Sequence, residues 1–132
     1  MKSHPPSKTG KIIPHGVKPE PHEFDTYLYY TDLGEDIELI PASHTPGVKS
    51  PDILMRGLMW EVKCPVINTR KSAERVFYKA AQQSSNLIID LRKLKGKEDA
   101  VLKTLLACVK TTRKVRNLHI ITKSGKLEVY KK

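Results

Sequence analysis

Two short apolar runs separated by the dipeptide Arg56-Gly57 constrain this chain more than any other segment. The runs are Ile53 to Met55 and Leu58 to Val62, and such a pair around a Gly-containing dipeptide predicts a β-hairpin with a two-residue loop. In that register Asp52 lies directly opposite Glu61, with Cβ atoms ~4.5 to 5.5 Å apart. Arginine is unfavourable at the first position of a type I′ loop, and a slip of one residue would move Asp52 to the other face.

Two carboxylates that face each other across a hairpin destabilise it unless their charge is offset. Lys63 lies two residues beyond Glu61, so the strand period places both on one face, whereas Trp60 and Val62 point into a core. A divalent cation held by both carboxylates offsets the repulsion more fully than Lys63 alone. Mg²⁺ suits such a site, because it binds through one or two carboxylates and completes its octahedron with water and phosphate oxygens. The alternative is a solvated strand face, on which a Glu-x-Lys pair is common.

The spacing of Pro51-Asp52, eight further residues and then Glu61-Val62-Lys63 resembles the signature of the PD-(D/E)xK nuclease superfamily. A helix with a Glu, a Gly that ends it and the strand Ile37 to Pro41 come before the motif. A helix ending in Gln82-Gln83-Ser84 and the strand Asn86 to Asp90 follow it. This order of parts resembles the C-terminal tRNase domain of CdiA-type contact-dependent growth inhibition toxins and related polymorphic bacterial toxins.

The resemblance runs from Glu20 to the C-terminus. It implies an α/β (α+β) fold with a restriction-endonuclease-like three-layer core, in which helices flank a mixed central sheet. It also implies that Asp52 and Glu61 bind one Mg²⁺ or Mn²⁺, with the backbone carbonyl of Val62 as a third protein ligand. Lys63 would then orient the attacking water or stabilise charge on the phosphate in the transition state.

Two further site residues follow from the resemblance only. Members of the superfamily carry an acid on the first helix near the metal, and Glu23 falls at that place in this chain. Other acids compete for the role, namely Asp25, Glu35 and Glu38. Gln82 matches a position at which related toxins carry an active-site glutamine, and its alternative is a solvated helix end.

The net charge of +10 is unevenly distributed. Residues 1–66 carry 7 Lys/Arg and 9 Asp/Glu, whereas residues 67–132 carry 17 and 5. A basic flank beside an acidic metal centre suits an enzyme that holds a polyanion while a metal acts on one phosphate. The predicted helix Asn68 to Ser85 directly follows the motif, and its basic residues are predicted to contact backbone phosphates: Arg70, Lys71, Arg75 and Lys79.

Residues 1–21 carry five of the nine prolines and little periodic apolar pattern, which predicts a flexible leader or linker. A single nuclease-like domain is then expected over residues 22–132, with the element order α-β-β-β-α-β-α-β-β. The spacing predicts helices over 23–33 and 99–114, a strand over 36–42, and a last hairpin joining 117–122 to 127–130. Asn86 to Leu91 is apolar enough to be buried on both faces of a parallel sheet.

No apolar stretch approaches the ~20 residues that a membrane span needs, and the N-terminus lacks the apolar segment of an export signal. The two cysteines, Cys64 and Cys108, have no metal-ligand spacing, so we expect free thiols in a reducing compartment.

The sequence thus predicts a metal-dependent nuclease, and the toxin resemblance favours an RNase acting on tRNA. The alternatives are a DNA endonuclease of the same fold and a non-catalytic basic module that binds nucleic acid, with the carboxylates in structural ion pairs. The resemblance and the charge together predict an acidic immunity protein as partner. They place the site of action in the cytoplasm, after delivery as the C-terminal part of a secreted toxin.

Overall fold

A computed structural model describes residues 9–47 and 49–132, which form three helices and seven strands. In chain order they are β1 (Ile12–Ile13), α1 (Pro21–Asp32), β2 (Ile37–Leu39), β3 (Ile53–Met55), β4 (Leu58–Lys63), α2 (Arg70–Ala81), β5 (Asn86–Asp90), α3 (Asp99–Thr111), β6 (Asn117–Ile121) and β7 (Leu127–Lys131). The chain divides into two compact units, with the boundary between Met59 and Trp60.

In the first unit, β1 pairs with β2 in parallel and β2 pairs with β3 in the antiparallel direction. Ile37 and Leu39 are buried while Glu38 between them is half-buried, which is the alternation of a strand with one face on a core. Helix α1 contributes the buried Tyr27 and Tyr30 to the core of this unit.

Helix α1 ends where Gly34 was predicted to end it. Gly34 has φ +91°, a region that favours glycine, and its N–H donates to the Thr31 carbonyl at 2.9 Å. The N–H of Glu35 donates to the Tyr30 carbonyl at 3.0 Å, which completes a Schellman motif. The helix starts two residues earlier than predicted, because Pro21 is suited to the first helical turn.

In the second unit, β4, β5 and β6 run parallel, and β7 returns antiparallel to β6. All five residues of β5 are buried, which confirms burial on both faces. Strands β5 and β6 pack against α2 and α3 through a single apolar cluster that includes Phe77, Leu87, Leu105 and Leu118. The predicted α/β class, with strands of mixed direction and accompanying helices, is confirmed.

Helices α2 and α3 are shorter than predicted. Thr69 caps α2, since its hydroxyl accepts from the Ser72 N–H at 3.2 Å. The predicted start of α2 at Asn68 therefore agrees to within two residues. The helices end earlier than predicted, α2 at Ala81 rather than Ser85 and α3 at Thr111 rather than residue 114. After each helix the chain turns toward the next strand. Thr112, directly after α3, already has an extended backbone, with ψ 147°.

Strand β1 corrects the predicted element order, which omitted it. It lies in the segment predicted as a flexible leader, part of which, residues 1–8, is outside the described residues. Ile12 pairs with Ile37, and the Gly10 N–H donates to the Thr31 carbonyl at 2.8 Å. A Cβ on Gly10 would overlap the Glu35 carbonyl oxygen, so glycine permits this close approach. Two apolar residues are too few to show a strand period. Strand β2 is also shorter than the predicted 36–42.

Candidate active site

The loop between β3 and β4 has the two residues that the sequence predicts. Arg56 has φ +54° and Gly57 has φ +75°, and positive φ at both positions is the requirement of a type I′ turn. A left-handed conformation is unusual for arginine. The Arg56 Nε donates to Glu35 Oε2 at 2.6 Å, and its terminal nitrogen pairs with the same carboxylate. Glu35 thus stabilises the loop from the chain segment after α1.

Asp52 and Glu23 interact electrostatically within the first unit. Asp52 immediately precedes β3, and its backbone carbonyl accepts from the Ile40 N–H at 3.0 Å. Glu23 is in the first turn of α1, where its carboxylate accepts from the Glu20 N–H at 3.2 Å. Burial raises the pKa of Glu23 above its ordinary value, and the negative charge of Asp52 raises it further. Glu23 and Asp52 thus place two carboxylates near each other in the first unit.

Two of the three acids that compete with Glu23 for the helix position have other partners. Glu35 is paired with Arg56, and Glu38 lies 3.0 Å from the His15 ring nitrogen. The choice between Glu23 and Asp25, which both lie on α1, stays a prediction. The bond of Glu23 to the Glu20 N–H also gives Glu23 a structural part in starting α1.

Glu61 and Lys63 form an ion pair on β4. Glu61 is buried, at 3% exposure, and its Oε2 lies 3.3 Å from Lys63 Nζ. The register of β4 with β5 pairs Glu61 with Leu87 and Lys63 with Ile89, as expected for two residues on one face. The Lys63 side chain is 32% exposed, so its ammonium is accessible from solvent. The pair offers a fixed carboxylate with a cation beside it.

Trp60 and Val62 are buried, as the strand period predicts. The Trp60 ring lies 4.5 Å from the His119 ring, centroid to centroid, and β6 supplies that histidine. This ring contact fixes the strand that carries Glu61.

The basic residues of α2 all lie on its exposed surface. Lys71, Arg75 and Lys79 recur every four residues and so form one stripe along the helix. Arg70 lies outside that stripe, in a groove of about 370 Å³ between α2 and α3 that it shares with Tyr78. The helix can therefore present a row of three positive charges, with Arg70 on an adjacent face.

Gln82 is exposed and caps the C-terminal end of α2. Its backbone N–H approaches the Tyr78 and Lys79 carbonyls at 3.3 Å each. The side chain is available to a ligand, and its catalytic role stays a prediction.

Within residues 9–47 and 49–132 there is no group of three or more His, Cys, Asp and Glu side chains placed to hold a metal ion. The predicted donor set is smaller, with two carboxylates and one backbone oxygen. The sequence reasoning missed Glu35 as the residue that holds the hairpin loop. A Glu and an Arg 21 positions apart carry no local signal of that contact.

Comparison with known proteins identifies the chain's relatives. Residues 49–127 match the family model described as the contact-dependent growth inhibition CdiA C-terminal domain. The chain belongs to this family. The matched region is more than half of the chain and contains the whole of the predicted motif.

Among solved structures, the chain is similar to one from the CdiA-CT/CdiI toxin and immunity complex of Burkholderia pseudomallei. The TM-score is 0.70 at 17% sequence identity, and the match covers 93% of this chain and 100% of the other. At that identity the likeness establishes a shared fold. No curated protein matches the sequence. Among the described residues, no helix is both long and apolar enough to cross a membrane.

Proposed function

We propose that this CdiA C-terminal domain is a toxin that acts as a metal-dependent nuclease, and that its substrate is tRNA. The observation that carries the proposal is the buried Glu61 carboxylate with the Lys63 ammonium 3.3 Å away, on the strand that the motif predicts. The raised pKa of Glu23 beside Asp52 supports a second concentration of negative charge before β3. The family match and the shared fold support the toxin part of this proposal. Both are to CdiA C-terminal domains, the class that the sequence resembles.

The residues fit a divalent cation by their chemistry. Asp52 and Glu61, with the Val62 carbonyl, are the oxygen donors that Mg²⁺ or Mn²⁺ prefers. The positive φ of Arg56 and Gly57 supports the predicted two-residue hairpin loop that joins the segments carrying these donors. When bound, the cation supplies charge neutralisation at the phosphate and a more acidic water.

The chain's own residues then have distinct roles. Asp52 and Glu61 would hold the cation, and burial of Glu61 keeps that carboxylate in one place. The Lys63 side chain is partly exposed, so its ammonium group can stabilise the negative charge that develops on the phosphate in the transition state. Glu23 and Gln82 are proposed to position water or substrate around this centre.

A second candidate function is a non-catalytic module that binds nucleic acid. The Glu61 and Lys63 contact favours it, because a direct ion pair gives the carboxylate a structural partner without a metal. A DNA endonuclease is the other alternative, since the same constellation cleaves either polymer. We favour tRNA because the resemblance is to toxin domains of that activity.

We propose further that the domain binds an acidic immunity protein. The similar structure is that of a toxin and immunity complex, and residues 67–132 of this chain carry 17 Lys/Arg against 5 Asp/Glu. An acidic surface would complement this charge and give fast, salt-dependent association. Action in the cytoplasm, after delivery as the C-terminal part of a secreted toxin, belongs to the same proposal.

The test is cleavage of total tRNA and of plasmid DNA, each with Mg²⁺ or with EDTA. Asp52→Ala, Glu61→Ala and Lys63→Ala are each expected to lower cleavage by at least ~10²-fold, as for loss of one electrostatic partner of a transition state. Glu74→Ala is the matched control, because Glu74 is an exposed carboxylate on α2. Its activity should equal that of the wild type.

The outcomes separate the candidates. Cleavage of tRNA that needs Mg²⁺ and Asp52 supports the tRNase. Cleavage of plasmid alone replaces it with the DNA endonuclease. Binding of either polymer without cleavage under any condition leaves the binding module.

A further inference from the structure

Five cationic side chains converge at one end of the second unit, although they come from two separate chain segments. Arg113, Lys114 and Arg116 belong to the loop between α3 and β6, while Lys131 and Lys132 end the chain. The hairpin register brings the segments together, because Asn117 pairs with Lys131 and the Lys132 N–H donates to the Arg116 carbonyl at 3.0 Å. The Lys132 ammonium also contacts the Thr112 carbonyl. These five residues are called the basic rim below.

The basic rim carries positive charge that the described residues do not neutralise. All five side chains are exposed, and none of them is in an ion pair with a carboxylate of residues 9–47 or 49–132. Other cations of the chain do have such partners, as Arg92 has Asp90 at 2.8 Å. Five like charges on neighbouring strand ends repel one another, and a bound polyanion neutralises them. Binding is also favoured because the polyanion releases its condensed counterions.

The strand registers place the basic rim at a definite separation from Glu61. Glu61 pairs with Leu87, Leu87 with Leu118, and Leu118 with Tyr130, so these four residues form one row across the strands. Lys131 lies one residue beyond that row, at the end of the sheet, and its side chain projects from the face opposite to that of Glu61. Adjacent strands are ~4.8 Å apart, so β6 lies about 10 Å and β7 about 15 Å from the strand of Glu61. At a rise of ~3.4 Å per nucleotide, that separation corresponds to three or four nucleotides.

We propose that the basic rim binds the phosphate backbone of the nucleic acid three to four nucleotides from the bond that is cleaved. This inference rests on the proposed nucleic-acid substrate and adds a surface distinct from the α2 stripe. The polar side chains at the same strand ends favour nucleic acid over an acidic protein. They are the partly exposed hydroxyls of Ser84 and Ser85 and the partly exposed amide of Asn117, which are groups that hydrogen-bond to phosphate and sugar.

A charge-matched pair of triple variants tests the proposal. The rim variant combines Lys114→Gln, Arg116→Gln and Lys131→Gln. The control variant combines Lys95→Gln, Lys97→Gln and Lys126→Gln, three exposed lysines at the opposite ends of β5 and β6. Both lose three positive charges, so a difference between them reports position and not net charge. Circular dichroism and thermal unfolding establish that both are folded.

Affinity for total tRNA is measured in EDTA, where binding is separated from cleavage, over a series of salt concentrations. The rim variant is expected to bind at least about tenfold more weakly at 0.1 M salt. The slope of log affinity against log salt should become shallower by about two to three, the value for three lost phosphate contacts at ~0.7 to 0.9 each. The control variant should keep the wild-type slope to within about one.

The result also discriminates between the two proposals. Equal affinity and slope for the rim and control variants overturns the basic rim, even if the wild type cleaves tRNA. Weaker binding by the rim variant supports phosphate binding by the basic rim, even if no cleavage is seen and the nuclease proposal, with the spacing measured from the cleaved bond, fails. A rim variant that keeps its tRNA affinity but loses retention on immobilised polyglutamate would assign the surface to an acidic protein and overturn the proposal.

Discussion

The Glu61 and Lys63 ion pair leads to a quantitative prediction about stability that is independent of activity. The Glu61 side chain is 4% exposed, and its Oε2 lies 3.3 Å from Lys63 Nζ. At an effective dielectric constant of ~20, two unit charges at that separation attract by about 5 kcal/mol. The cost of removing both groups from water offsets much of this attraction. Because the Lys63 side chain is 32% exposed, solvent screens the pair further.

We expect Lys63→Met to lower the free energy of unfolding by about 2 to 3 kcal/mol. This is below the ~3 to 5 kcal/mol typical of a fully buried pair, because Lys63 is partly exposed. Combined with Glu61→Gln in a double-mutant cycle, the coupling energy should be about 1 to 3 kcal/mol. The double variant should regain part of the lost stability, since it leaves no buried carboxylate without a countercharge, and yet have no nuclease activity.

Urea unfolding followed by the fluorescence of Trp60 measures these energies. Trp60 is the single tryptophan, is 2% exposed and precedes Glu61 on β4, so its signal reports the unit that contains the pair. Lys95→Met, an exposed lysine in the loop before α3, is the control and should change stability by less than about 0.5 kcal/mol. A coupling energy below about 0.5 kcal/mol would refute the reasoning, because distant independent sites show values of that size.

Three further predictions concern other parts of the chain. Gly57→Val should destabilise the protein by about 1 to 3 kcal/mol, since φ +75° strains a β-branched residue, and thermal unfolding checks this loss. Asp52→Asn should lower the pKa of Glu23 toward its ordinary value, because it removes a nearby negative charge. NMR titration of the Glu23 carboxyl carbon measures this pKa, and an unchanged value would contradict the prediction. Burial raises the pKa of Cys108 above its ordinary value, so the folded state holds the proton more tightly than the unfolded state. Stability from this group should be present below the ordinary thiol pKa of about 8.5 and be lost as pH rises through the folded pKa. Cys108→Ala should flatten that fall when urea unfolding is measured from about pH 8 upward.

Local pattern was enough to predict most of the elements. The break at Arg56-Gly57 gave the correct loop residues, and the continuous apolarity of β5 gave its burial on both faces. Both features depend only on residues that are close in sequence, whose apolar spacing and turn preferences determine the local structure. Strand β1 could not be found this way, because it has two residues and its pairing with β2 depends on the close approach that Gly10 allows.

The candidate site divides in the same way. The spacing of Asp52, Glu61 and Lys63 was visible in the sequence, but the choice among the first-helix acids was not. Of the candidates Glu23, Asp25, Glu35 and Glu38, the last two acquire long-range partners on folding, Arg56 and His15, which no local pattern shows. The basic rim likewise exists because a hairpin register joins two segments, and neither segment alone shows that all five charges meet.

The proposed nuclease function supplies a reason for the buried Glu61 and Lys63 pair that the energetics of folding do not supply. Replacing a buried ion pair by apolar side chains of similar volume is often neutral or stabilising, so such a pair is a weak source of stability. Glu61 and Lys63 thus add little that a pair of apolar residues could not supply to β4. A fixed carboxylate beside an accessible ammonium is, by contrast, hard to replace in phosphodiester cleavage, which needs one group for a cation and another for developing negative charge. The double variant that recovers stability without activity is the observation that would separate these two contributions.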